Sequence, residues 1–304
     1  MATWTRNRWK KLLGLILLPV VLLAMLRWFE CRNVYHPTAT LWGEPGVLGK
    51  PVEEVWLTTR DGVRLNGWFF PAATNSRRRH LAVLHSHGNG GNISHRADVA
   101  ETLLDAGVNV LLFDYRGYGR SAGRPSEEGT YRDAQAAYAW LREHGFAPTN
   151  IIAFGESLGG GVATELALRE ALGGLVLQST FTSVPDLGAE LFPWLPVRWL
   201  ASIHYNTRAK LPRVHVPVLF MHSRADTLIR FPHAERNYAA ANEPKLFHEI
   251  AGDHNDFLEA GRDEFIAGFE RFVKGLEGQH SLQRTGQAAR TTGPASNPSP
   301  PTAP

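Results

Sequence analysis

Gly155-Glu156-Ser157-Leu158-Gly159 has the spacing G-x-S-x-G. A serine at that spacing serves as a nucleophile when it sits on a sharp strand-to-helix turn with its hydroxyl exposed. The neighbouring residues predict that setting. Ile151–Phe154 reads as a buried strand, and a helical pattern starts at Leu158 and runs to Leu172. Gly155, Gly159, Gly160 and Gly161 let the strand and helix pass close together. A serine hydroxyl is a poor nucleophile near neutral pH and needs a base. On such an elbow the chain order is Ser, then Asp or Glu, then His. His254, in Gly252-Asp253-His254-Asn255-Asp256, directly follows the strand-like Phe247–Ile250. Asp226 follows Val216–His222, where a carboxylate can accept the Nδ1–H of His254 and fix its tautomer. Asp253 and Asp256 are too close in sequence to His254 to be its usual partner, and Asp186 falls in a different segment. Asp226 is therefore the expected acid.

The chemistry this constellation suits is acyl transfer, and its tetrahedral intermediate needs an oxyanion hole. The backbone N–H of Leu158 is one expected donor. The other should come from His87-Gly88-Asn89-Gly90-Gly91-Asn92, with the N–H of Asn89 preferred and Gly90 the alternative. His87 is expected to brace that loop. No cofactor is needed.

These residues require a scaffold that brings four loops to one edge. Glu54–Thr59 and Val63–Phe70 read as strands joined at Asp61-Gly62. Leu81–His85, Asn109–Tyr115, Ile151–Phe154, Leu175–Gln178, Val216–His222 and Phe247–Ile250 follow, separated by helical patterns at Arg96–Ala106, Glu127–His144, Leu158–Leu172 and Phe257–Leu276. An opening antiparallel pair followed by strand–helix repeats predicts an α/β fold: a mostly parallel eight-stranded sheet with helices on both faces. Residues 181–214, with Phe192, Trp194, Leu195, Trp199, Leu200 and several prolines, break the repeat and read as a small cap insertion. The cap's aromatics either pack it onto the domain or receive a greasy group.

Residues 80–276 resemble the α/β-hydrolase superfamily. Within it they look most like membrane-anchored serine hydrolases with an H-G-N oxyanion loop and a D-Y-R-G-Y-G-x-S segment, here His87-Gly88-Asn89 and Asp114–Ser121. The resemblance implies esterase, thioesterase or lipase-like activity with Ser157, Asp226 and His254 as the triad, and a single N-terminal anchor. The expected substrate is a small-molecule ester or thioester, including lipid-like ones. A small-peptide serine peptidase uses the same machinery and is the alternative enzyme. A membrane-tethered binding protein on a hydrolase fold is the alternative from another class.

The ends of the chain differ from the middle. In residues 1–30, Arg6, Arg8, Lys10 and Lys11 precede the apolar run Leu12–Leu26, and Trp28 and Phe29 suit an interface. A spanning helix needs about 20 apolar residues, so the run is short and also fits the core of a cleaved signal. No A-x-A-like site follows it. An uncleaved anchor helix is expected, with the domain at 50–277 on the non-cytoplasmic side. Residues 278–304 are rich in Pro, Ser, Thr, Gly and Ala and are expected to be disordered. Residues 1–11 and 278–304 hold six basic residues and no acid, so a net charge of +3 leaves the middle net acidic, which argues against nucleic acid. Gly117–Ala122 fits a dinucleotide fingerprint, but Gly-Arg-Pro follows where a helix should begin. The loop Gly88–Asn92 lacks the lysine of a P-loop, and His85 and His87 have no third ligand at metal spacing. The sequon Asn92-Ile93-Ser94 would fall beside the active site and is taken as coincidence.

Overall fold

Strands that are apolar at every position need cover on both faces. The computed structural model describes the backbone of residues 2–291 and the side chains of residues 15 and 17–278. In it Ala82–Ser86 (β3), Asn109–Phe113 (β4) and Gly174–Gln178 (β6) are buried along their whole length. They join Glu53–Thr58 (β1), Arg64–Phe70 (β2), Ile151–Glu156 (β5), Val218–His222 (β7) and Lys245–Glu249 (β8) in one eight-stranded sheet of order β8-β7-β6-β5-β3-β4-β2-β1. β1 pairs antiparallel with β2, and β2 with β4; every other neighbouring pair is parallel. The chain leaves β3 toward one edge to make β4, then returns to lay β5 on the other side of β3. Ligands of such sheets bind where the order reverses, beyond the carboxyl ends of the strands. Here that point lies between β3 and β5.

Alternate side chains feed two cores. Leu84, Leu111, Ala153, Leu177 and Phe220 pack toward Glu127–Glu143 (α3) and Leu158–Arg169 (α4). Val83, Leu112, Phe154, Val176 and Met221 face Ala97–Asp105 (α2) and the last helix, Phe257–Thr291 (α9). Phe154 meets Phe265 of α9 at 5.9 Å between ring centroids. Ser126 caps α3 by accepting from the Gly129 N–H, and Gly145 with φ 88° ends it. α9 breaks at Gly261, then continues as backbone to Thr291. Helical backbone thus extends through residues 278–291 of the tail expected to be disordered; the side chains from 279 on, and residues 292–304, lie outside what is described.

The segment expected to be a cap runs between β6 and β7. It consists of Val184–Leu191 (α5), Val197–Leu200 (α6) and Thr207–Lys210 (α7). Pro232–Ala240 (α8) packs between β7 and β8 in sequence. The N-terminal segment forms one helix, Ala2–Val34 (α1). Leu15, Leu18 and Met25 on it are exposed, whereas its last two turns rest on the cap and Tyr35 behind it is buried in the core. The sequence reading placed the domain at 50–277; residues 31–37 in fact contribute to it. Among the described residues, no helix is long and apolar enough to cross a membrane.

Candidate active site

Ser157 sits between β5 and α4 with φ 52° and ψ −114°, a left-handed conformation that costs a non-glycine residue free energy. Two hydrogen bonds hold it there. Its N–H donates to Gln178 O at 2.9 Å, and Thr180 Oγ1 donates to its C=O at 2.7 Å. The turn can be this tight because of its glycines: a Cβ on Gly159 would run into Ser86 O, and one on Gly160 into Thr180 Oγ1.

The loops after β7 and β8 bring the other two side chains to the serine. His254 Nε2 lies 3.1 Å from Ser157 Oγ, and His254 Nδ1 lies 2.8 Å from Asp226 Oδ2. All three residues are buried, with His254 the most accessible at 9%. The second oxygen of Asp226 accepts the N–H groups of Leu228 and Ile229 at 3.0 and 2.7 Å, which fixes the carboxylate plane. The other carboxylates near in sequence are engaged elsewhere. Asp253 accepts the N–H of Thr227 at 2.7 Å and so ties the histidine loop to the aspartate loop, Asp256 accepts the N–H of Asp253, and Asp186 pairs with Arg198 in the cap.

Leu158 and Asn89 line the same cavity as Ser157. The N–H of Leu158 opens α4, where no intrahelical acceptor exists for it. The Asn89 loop is clamped through its carbonyls: His36 N–H and Tyr118 Oη donate to Asn89 O at 3.0 and 2.9 Å, and Tyr115 Oη donates to His87 O at 2.9 Å. His87 is fully buried, and its ring packs at a tilt on Tyr115 with 4.3 Å between centroids. Burial pushes its pKa down to about 3, so the ring is neutral and its Nδ1–H donates to Gly88 O at 2.7 Å. The neutral ring turns its bare Nε2 toward Asp114, 3.6 Å away. Burial raises the Asp114 carboxyl to about 7, while one of its oxygens accepts the Ile93 N–H at 2.9 Å.

Comparison with known proteins gives this geometry a family. Residues 77–209 match a hydrolase family described as serine aminopeptidase, S33. An uncharacterised protein of Mycobacterium tuberculosis is 41% identical over 235 residues, covering 76% of this chain and 83% of its own. The chain belongs to the α/β-hydrolase superfamily. The Arabidopsis thaliana protein WAV2, described as α/β-hydrolase domain-containing, is 29% identical over 290 residues, covering 87% of this chain and 94% of its own. A solved esterase of Pyrococcus furiosus shares the fold with a TM-score of 0.66 at 22% identity, over 80% of this chain and 98% of that one.

Two cavities meet at the nucleophile of this serine-type α/β hydrolase. One, of about 320 Å³, is lined by apolar side chains of the cap and of the loop after β7, among them Phe181, Leu187, Leu191 and Ile229. The other, of about 290 Å³, is polar, with Thr38, His95, Arg96, Glu156 and Asn255. Arg96 Nε donates to Glu156 Oε2 at 2.7 Å beneath the Asn89 loop. A Cβ on Gly88 would come within 2.9 Å of Glu156 Oε1, so this ion pair directly supports that loop.

Sequence reasoning named Ser157, Leu158, Asn89, Asp226 and His254, and the structure brings all five to one place. It missed Tyr115 and Tyr118 as braces, although both lie in the D-Y-R-G-Y-G segment that carried the resemblance. It also missed Arg96 and the end of α1. Trp194 and Trp199 line neither cavity and are 72% and 90% exposed, so they do not receive the substrate in this structure.

Proposed function

We propose that this hydrolase cleaves a carboxylic ester or thioester through an acyl intermediate on Ser157. The observation that carries the reading is the Ser157–His254–Asp226 relay opening onto an apolar cavity on one side and a polar one on the other. Ser157 Oγ attacks the carbonyl carbon while His254 Nε2 takes its proton. Asp226 stabilises the imidazolium through Nδ1–H. The N–H groups of Leu158 and Asn89 receive the oxyanion. His254 then gives the proton to the departing alcohol or thiol. In the second half it deprotonates a water that attacks the acyl carbon, and the acid leaves as Ser157 is reprotonated. The polar cavity suits the leaving group and the apolar one the acyl chain.

Labelling of the full chain by a fluorophosphonate probe tests this. Wild type should label, and Ser157→Ala and His254→Ala should not. Absence of labelling in folded wild type would favour a binding protein on a hydrolase fold. The description of the matched family favours a peptidase as the second reading. Amides have poorer leaving groups, so comparing a p-nitrophenyl ester with an aminoacyl p-nitroanilide separates the two. Faster amide turnover would overturn the ester reading.

We also propose that α1 anchors the protein to a membrane, with the catalytic domain on the non-cytoplasmic side. Its support is the exposed apolar stretch containing Leu15, Leu18, Leu22 and Met25, which follows four basic residues in sequence. Carbonate extraction of membranes from expressing cells should leave the protein in the pellet. Release into the supernatant would remove the anchor from the proposal.

A further inference from the structure

The end of α1 does more than lead into the domain. Leu26, Phe29, Glu30, Asn33 and Val34 follow one another at helical spacings of three, four, seven and eight residues, so they share one face. That face closes against the cap over a third, smaller cavity of about 70 Å³. Its opposite wall is Val184, Gly188, Phe192, Val197 and Ala201. Asn33, Val34, Val184, Gly188 and Phe192 line this cavity and also the one that holds Ser157. The two therefore adjoin, and together they run from the nucleophile to the part of α1 whose apolar side chains are exposed.

We infer that this seam between α1 and the cap is the acyl-chain site, with α1 as a specificity-determining wall. The inference rests on the ester or thioester reading and names the part of the substrate that lies there: an unbranched acyl chain with its carbonyl at Ser157. Three observations support that occupant. The lining is apolar apart from Glu30 and Asn33. At the neck stands Gly188, where a Cβ would approach Val197 Cγ1 to 2.9 Å, so α5 and α6 stay close without a side chain blocking the way. Finally, the wall is held in place. Glu30 accepts the N–H groups of Ser202 and Ile203 at 2.6 and 2.8 Å and the Ser202 hydroxyl at 2.6 Å, Arg27 donates to Leu200 O at 2.9 Å, and Phe29 meets Phe192 edge-on at 5.8 Å. Glu30 is thus a positioning residue that keeps the helix face against the cap.

The test measures kcat/KM of the full chain in detergent micelles on p-nitrophenyl butyrate and dodecanoate. Each buried methylene is worth roughly fourfold in binding, so wild type should favour the longer ester. Phe29→Asp places a charge in the wall and Ala201→Phe fills the outer cavity. Each should lower the dodecanoate-to-butyrate ratio by about tenfold or more. Glu30→Ala should raise KM for dodecanoate more than it lowers kcat, and Glu30→Gln, which keeps an acceptor oxygen, should restore much of the loss. Offering the dodecanoate as dissolved monomer and in phosphatidylcholine vesicles separates the two sources of such a chain, solution and bilayer. A ratio unchanged in both wall variants, with butyrate still hydrolysed, would overturn the inference and leave the esterase reading standing. A wild type that hydrolyses neither ester and is not labelled by fluorophosphonate would remove the esterase reading itself.

Discussion

The carboxyl edge of the sheet and the α1–cap seam both face Ser157, but they are built differently. At the sheet edge the reacting groups sit on short loops that leave strands of one continuous sheet, and backbone hydrogen bonds fix them, as at Ser157 and Asp226. The seam is made of helices of 8 and 4 residues packed against the end of α1 and joined mainly through one carboxylate, Glu30. Short helices without a sheet behind them have few buried contacts and open at low free energy. Chemistry is therefore set in a rigid region and substrate choice in a pliable one. Changes at the sheet edge should act on every substrate alike, and changes at the seam should discriminate among them.

The largest effect that would break this contrast is loss of the relay. Ser157→Ala, or Asp226→Asn, should lower kcat by about 10⁴-fold on short and long esters equally. An Asp226→Asn variant that lost long-chain activity alone would place Asp226 with the seam. Next is the ion pair under the oxyanion loop. Arg96→Leu leaves Glu156 without its partner in a mostly buried position, and should destabilise the fold by about 3 kcal/mol in a urea titration and reduce activity on all esters. Full stability in that variant would show that Glu156 reaches solvent or protonates freely.

Asp114 sharpens the contrast through pH. Its carboxyl is raised to about 7 in the fold, chiefly by burial, against 3.8 for the ordinary group. The folded protein thus holds a proton there that the unfolded chain gives up near pH 4. Stability from this group is present at low pH and is lost as pH rises from about 4 through 7. Asp114→Asn, which keeps an acceptor for the Ile93 N–H, should flatten that part of the Tm–pH curve and gain most over wild type near pH 8. An unchanged curve would mean that the carboxyl is ionised in the fold. The smallest effects should come from Trp194→Ser and Trp199→Ser, whose side chains are exposed; their stability changes should stay within about 0.5 kcal/mol. Loss of dodecanoate turnover in either would extend the acyl site beyond the seam.

The nucleophile, base, acid and oxyanion loop were legible in the residues alone, for a physical reason. A parallel sheet brings the carboxyl ends of its strands to one edge, so any polar loop directly after a buried strand arrives there. Ser157, Asp226 and Asn89 each follow such a strand and His254 follows the half-buried edge strand β8, so a one-dimensional pattern suffices to find them. The sequence by itself also marked the strands: the central ones are mostly apolar because both their faces are buried, and Glu53–Thr58 alternates because one of its faces is exposed. Only the tertiary structure decided which side chains support the loops. Tyr115 and Tyr118 reach His87 and Asn89 from about 30 residues away, a pairing that depends on β3 lying beside β4. Only the tertiary structure, too, gave α1 a face. The side that meets the cap lies in its last turns, Leu26 to Val34, where Glu30 and Asn33 stand among the apolar residues and no sequence pattern names the cap as their partner, while large side chains at Trp194 and Trp199 looked more important than they are. Size and hydrophobicity say that a residue can be buried; which neighbour buries it is settled by how distant segments pack.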